Sequence, residues 1–144
     1  AARRCFFQAC GLWDKSIIGN ADTLLAAAVL HGDDLERTLG LFQGCDLGLR
    51  EGQLREEFGQ WSRAVHAFSK LDGGPSYLPE IDLYHEWHGC TNDRQYSSRL
   101  SLLQGFESHE IAKTTEGFYQ WSLTANAERV EKTHQYFIDR KEDG

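Results

Sequence analysis

Apolar residues recur along most of this chain at steps of three and four positions, and few segments alternate between apolar and polar residues. Residues at these steps share one face of an α-helix, whereas strict alternation would indicate a strand. The longest example runs from about Arg50 to Leu71, and its apolar positions are Leu54, Phe58, Trp61, Val65, Phe68 and Leu71. The pattern therefore predicts an all-α fold with this amphipathic helix as its main element.

The other helices are predicted from the same spacing and from the Gly, Asn and Asp residues that interrupt it. They comprise a helix over 6–18, one that Asn20 caps, a short one over 35–42, a short one before Gly89, one that begins near Asn92, and a final one over 116–140. The core candidates of the final helix are Phe118, Trp121, Leu123, Val130 and Phe137. Both prolines lie in the clearest loop, 72–79, and nothing divides residues 1–144 into two domains.

Composition and charge exclude several classes of protein. A chain of 144 residues with 40% apolar and 26% charged residues is typical of one globular domain with a core. The formal net charge of −7 argues against nucleic acid as a partner, because no basic surface offsets it. The longest strongly apolar run, Leu24 to Leu30, is too short to cross a bilayer, so we expect no membrane association through a spanning helix.

Residues with catalytic or redox chemistry form no recognisable pattern. The chain has no Gly-rich phosphate loop and no Gly-x-Ser-x-Gly sequence, so we expect no enzymatic activity. The four cysteines, at positions 5, 10, 45 and 90, form no Cys-x-x-Cys pair. Disulfides and free thiols are both compatible with this spacing, which leaves the compartment open.

The most distinctive stretch runs from Ile81 to Tyr96 and places His85 and His88 among aromatic side chains. A neutral imidazole on an apolar helix face is a good metal ligand. Trp13, Phe42 and His85 are separated by 29 and 43 residues, and Tyr96 follows His85 by 11 residues. In these spacings, in length and in helix order the chain resembles the globin family. It is most similar to invertebrate, annelid-like globins, some of which carry a Cys near the N-terminus, and an extracellular location is favoured.

The resemblance implies a globin-like helical fold that binds one haem b and reversibly binds oxygen or another diatomic ligand. His85 would ligate the iron, with Ile81 beneath the porphyrin and Phe42 against its edge. Tyr96 and Leu100 would form the inner wall, and Trp61 would help to set the size of the distal side. Like its invertebrate relatives, the chain could form homo-oligomers or hetero-oligomers.

The distal residue is where the chain departs from the family. Counting back from His85 leads to Glu57, which when ionised has only hydrogen-bond acceptors. A buried carboxylate beside bound oxygen is unfavourable, so Glu57 should face solvent or be protonated. Gln60 can donate an amide N–H and is our candidate for the distal polar residue. The third helix also lacks the proline that commonly begins it in globins.

Two other patterns suggest different functions. Glu131 and His134 form a Glu-x-x-His sequence, which together with Glu107 resembles half of the ligand set of ferritin-like di-iron proteins. The second Glu-x-x-His that such a site requires is missing, so a charged, solvated helix face is the favoured explanation. The segment 59–68 resembles the second helix of a tetratricopeptide repeat. A haem-free helical-repeat module that binds other proteins is therefore the alternative to a globin.

Overall fold

A computed structural model describes residues 4–40, 49, 51–71, 73–75, 94–95 and 98–140. These residues are mostly helical, as predicted, but they also form one small sheet. The helices are α1 (Arg4–Cys10), α2 (Ala21–His31), α3 (Leu35–Gly40), α4 (Gly52–Leu71) and α5 (Ala127–Asp139), together with two 3-10 helices, Arg99–Leu103 and Ser108–Glu110. The strands are β1 (Ile111–Lys113) and β2 (Tyr119–Trp121).

The long helix α4 is the centre of the N-terminal part, as its amphipathic spacing predicted. Its apolar face is buried against α1 and α2. Gly32 allows the close approach of α2, because a Cβ atom there would overlap the backbone oxygen of Ser62. The Nδ1 atom of His66 lies 2.9 Å from the carbonyl oxygen of Val29, which adds a polar link between the same two helices.

Two apolar clusters form the core. The larger one joins α2 and α4 to the C-terminal part of the chain and contains Ile18, Leu24, Leu54, Phe58, Leu100, Leu103, Phe106, Ile111 and Tyr136. The smaller one consists of Phe6, Ala28 and Val65, with Phe68 packed beside them. Trp61 contacts both clusters. Burial of the predicted apolar positions of α4 is thereby confirmed for Leu54, Phe58 and Val65.

The first helix is shorter than predicted. It ends at Cys10, because Gly11 has a φ of +65° and its N–H donates to the carbonyl of Phe7, which is a common way to terminate a helix. The chain then runs without helix to Asn20, and Trp13 is buried in the larger cluster from this irregular segment. Asn20 occupies the N-cap position of α2 as predicted, although its side chain makes no capping hydrogen bond.

The predictions for the C-terminal part were partly wrong. In place of a helix from residue 116, the chain forms an antiparallel hairpin in which Ile111 pairs with Trp121 and Lys113 with Tyr119. Helix α5 begins only after Asn126, whose side chain accepts the N–H of Arg129. Three of the five predicted core residues are exposed, Phe118 at 72%, Leu123 at 107% and Phe137 at 48% of their reference areas.

Candidate functional site

Three of the seven predicted haem-site residues lie in the described part of the chain, and Gln60 is separate from the other two. Gln60 is exposed and lies beside Leu35, Arg55 and Arg63 in a shallow polar depression on the outer side of α4. Trp61 is half-buried and Leu100 is buried, both within the larger apolar cluster. The other four, Phe42, Ile81, His85 and Tyr96, lie outside the described residues.

The apolar face of α4 that would cover a haem is packed against protein. The Trp13 ring lies 5.2 Å from the Phe58 ring and 5.8 Å from the Trp61 ring, measured between centroids. Phe58 and Trp61 are 5.6 Å apart in the same way. The three rings fill the space beside α4, so these described residues fit a flat porphyrin poorly.

Glu57 belongs to a polar network. Its carboxylate pairs with Lys15 and accepts hydrogen bonds from Gln53 at 2.8 Å and Ser108 at 3.3 Å. Burial alone would raise the pKa of Glu57, but the hydrogen bonds from Lys15 and Gln53, with the charge of Lys15, hold the pKa below its usual value. The carboxylate is therefore ionised, and it links α4 to the irregular segment after α1 and to the second 3-10 helix. The sequence predicted that Glu57 would face solvent or be protonated, whereas it is a partly buried, ion-paired carboxylate.

The largest apolar depression that we describe lies between the hairpin and α5, and we call it the α5 groove. Its volume is about 630 Å³. Its lining residues are Trp121, Ser122, Ala125, Ala127, Val130, Glu131, Thr133, His134 and Phe137. The α5 members follow helical spacing, so they form one stripe along the helix. Glu131 is the one acidic residue among the described residues that line the α5 groove.

A buried ion pair holds the walls of the α5 groove in place. Glu110 is 4% exposed and pairs with Arg129 of α5. Its carboxylate also accepts the N–H groups of Glu107 at 3.1 Å and Asn126 at 2.9 Å. Arg129 donates in addition to the carbonyls of Leu102 and Gln104. Burial alone raises the pKa of Glu110, but the two backbone N–H groups and Arg129 outweigh it and lower the pKa.

Side chains from the connection between β2 and α5 complete the groove and its rim. The hydroxyl of Ser122 donates to the carbonyl of His109 at 2.8 Å, which fixes the start of this connection. Leu123 follows Ser122 in the chain, and Ile138 follows Phe137. Leu123, Phe137 and Ile138 are all exposed. The sequence analysis missed this surface because it placed Phe118, Leu123 and Phe137 in the core of a continuous helix.

The other sequence-based candidates have separate positions. Glu131 and His134 both lie on α5, whereas Glu107 belongs to a capping box with Glu110 at the second 3-10 helix. Within the described residues there is no group of three side chains suited to hold a metal ion. Cys5 and Cys10 are free thiols, and burial raises the pKa of Cys10. Cys45 and Cys90 lie outside the described part.

Comparisons with family models, with curated proteins and with solved structures find no match for this chain. None of the helices in the described ranges is both long enough and apolar enough to cross a membrane.

Proposed function

We propose that this chain is a protein-interaction module whose α5 groove binds an apolar segment of a partner protein. The observation that carries the proposal is the groove itself, which α5 forms with Trp121, and two of its lining residues are followed in the chain by the exposed Leu123 and Ile138. Apolar depressions with such exposed neighbours are characteristic of binding surfaces, because water contact with them is unfavourable. A helical interaction module is also the alternative that the sequence suggested, although the surface lies on α5 and not on residues 59–68.

The partner segment should carry a basic residue next to its apolar anchor. Glu131 places a carboxylate among the residues that line the α5 groove, and the chain as a whole has a net charge of −7. A cationic segment is attracted by both, whereas a second copy of the same acidic chain is repelled at long range. An aromatic or aliphatic anchor beside Lys or Arg is therefore the chemistry that fits this groove.

Peptide display tests the proposal without a known partner. A library of random 12-residue peptides is selected against the wild-type chain, and the enriched peptides are then measured against Val130→Glu, which places a charge in the α5 groove. We expect enriched peptides to combine an apolar anchor with Lys or Arg. Glu131→Lys should weaken their binding about tenfold or more, equivalent to about 1.4 kcal/mol. Leu71→Glu is the matched control, because Leu71 is exposed at the end of α4, and it should bind normally.

Two outcomes would overturn this assignment. Peptides that bind Val130→Glu as well as wild type would show that the α5 groove is not their site. A concentration-dependent dimer in sedimentation velocity that Val130→Glu abolishes and Leu71→Glu preserves would give the groove to a second copy. Failure to enrich any peptide would indicate that other residues of the chain cover the α5 groove.

A haem-binding globin that carries oxygen or another diatomic ligand is the second proposal. One described atom favours it: the indole N–H of Trp61 is buried and has no hydrogen-bond acceptor among the residues that the structure describes. An unpaired buried donor is costly, and a bound ligand could accept from it. The hairpin counts against the globin-like fold, since the resemblance implied two terminal helices where β1 and β2 stand.

Absorption spectroscopy separates the two proposals. A globin should show a Soret band when purified or after addition of haemin. His85→Gly should lose the haem or need added imidazole to retain it, whereas His88→Ala should keep it. Absence of a Soret band in the wild-type protein after haemin titration would refute haem binding and leave the groove proposal unaffected.

A further inference from the structure

Three arginines line one cavity, and one of them, Arg140, is the residue that follows the last turn of α5. This cavity, which we call the arginine cavity, has a volume of about 360 Å³. Its lining residues are Ile18, Gly19, Asn20, Asp22, Thr23, Arg94, Arg99 and Arg140. The chain has 15 basic residues against 22 acidic ones, so three guanidinium groups at one cavity are a local reversal of its overall charge.

Arg99 is built into the wall of the arginine cavity. It is only 6% exposed, although arginine is rarely buried to this extent without polar partners. Its Nη2 atom donates to the side-chain oxygen of Asn20 at 3.0 Å. Gly19 has a φ of +105°, and a Cβ atom there would come within 3.1 Å of the same Nη2 atom. The loop before α2 is therefore shaped to admit this guanidinium.

The neighbouring groups add positive potential to the arginine cavity. Arg140 is held over the rings of Tyr136 and Phe137, with centroid distances of 5.8 Å and 5.6 Å. The N-terminus of α2 adjoins the cavity through Asn20 and Thr23, and this end of a helix favours anions. The carboxylate of Asp22 is the opposing charge, and it accepts the N–H of Thr23 at 2.8 Å along its own helix.

We propose that the arginine cavity binds a phosphate group, either as free phosphate or as part of a small phosphorylated molecule. Each of the three arginines also interacts with other groups of the chain, but a guanidinium has five N–H donors and can serve two partners. Planar guanidinium groups match the oxygen geometry of phosphate in pairs, and several of them favour a dianion over a monocarboxylate. The cavity also has room for a small organic group attached to the phosphate.

Titration calorimetry and thermal unfolding with sodium phosphate and glycerol 3-phosphate test this proposal, with sodium chloride at equal ionic strength as the reference. We expect both phosphates, but not chloride, to raise the melting temperature. Arg94→Gln and Arg140→Gln should weaken phosphate binding at least tenfold. These two positions carry the test because Arg99 is buried and its replacement could prevent folding. Arg37→Gln is the matched control, since Arg37 is exposed on α3 and loses the same charge.

Comparison of the affinities for inorganic phosphate and for glycerol 3-phosphate identifies the source of the phosphate group. Tighter binding of glycerol 3-phosphate supports a phosphomonoester, and tighter binding of inorganic phosphate supports the free ion. Equal stabilisation by phosphate and chloride would overturn the proposal, as would equal phosphate affinity in Arg94→Gln, Arg140→Gln and Arg37→Gln. Absence of phosphate binding by the wild-type chain would mean that the arginines serve only carboxylates of the chain itself.

Discussion

Replacing Glu110 by Gln should destabilise the fold more than replacing any exposed carboxylate. Glu110 links the second 3-10 helix to α5, because it accepts from Glu107 of its own capping box, from Asn126 at the N-cap of α5 and from Arg129 of α5. The Gln side chain keeps one acceptor oxygen but presents an NH2 group to the donors on the other side. The substitution therefore leaves the charge of Arg129 without its buried counter-ion.

The magnitude follows from this burial. The side chains of Glu110 and Arg129 are 5% and 12% exposed, so solvent cannot replace the lost partner easily. Removing one partner of a buried ion pair costs roughly 3–5 kcal/mol. Arg129 keeps its bonds to the carbonyls of Leu102 and Gln104, which compensate in part. We therefore expect Glu110→Gln to lower the free energy of unfolding by about 3 kcal/mol.

Urea denaturation followed by tryptophan fluorescence and far-UV circular dichroism measures this loss. Glu128→Gln is the matched control, because Glu128 lies next to Arg129 on α5, is exposed and, among the described residues, pairs with Lys132. Its unfolding free energy should stay close to that of the wild type. The double variant Glu110→Gln, Arg129→Met should lose clearly less than the sum of the two single variants, because the ion pair couples them.

The pH dependence provides an independent check of the same reasoning. The pKa of Glu110 is lower in the folded state than its unfolded value of about 4.3. Its stabilisation is therefore fully present above the unfolded pKa and is lost as the pH falls through the folded pKa. The difference between wild type and Glu110→Gln should shrink below about pH 4. A loss under 1 kcal/mol at pH 7, or strict additivity of the two single variants, would refute the role given to this pair.

Three further predictions concern packing and exposure. Gly32→Ala should lower the free energy of unfolding by about 1–3 kcal/mol in urea denaturation, since its Cβ would force α2 away from Ser62. Gly40→Ala, where a Cβ meets nothing within 4 Å, should not destabilise, and equal losses would contradict the close approach. Phe58→Ala should cost roughly 3–5 kcal/mol, because the ring is 0% exposed. Leu123→Ala should change the melting temperature little, and a large decrease in melting temperature would show that Leu123 belongs to the core.

The positions that the sequence predicted correctly are those governed by local periodicity. Helix α4 spans nearly the predicted range because its apolar residues recur over five turns and no glycine with a strained backbone interrupts them. Leu100, Leu103 and Phe106 follow the steps of three expected of the helix predicted to begin near Asn92, and all three are buried, although their backbone forms a 3-10 helix and a turn and not an α-helix. The same side chains are buried in a 3-10 helix as in an α-helix, because both helix types place residues three apart on one side.

The C-terminal part was decided by contacts between distant residues. The sequence from Ile111 to Trp121 has the short alternation and the central Gly117 of a hairpin, but its apolar residues also fit helical steps. The hairpin is held to the rest of the chain by Lys113 and Tyr119, which both contact Asp14, and by the Glu110–Arg129 pair. Propensity over a short segment is too weak to outweigh such contacts.

What the sequence alone determined was the helical character of this chain, the amphipathic face of α4 and the chemistry of its side chains. The two candidate sites required the tertiary structure, because each is assembled from residues that are far apart in the chain. The α5 groove needs the hairpin to stand beside α5, and the arginine cavity needs Arg94, Arg99 and Arg140 to meet the start of α2. Periodicity reports which face of a helix is apolar, but only packing decides whether another part of the chain covers that face.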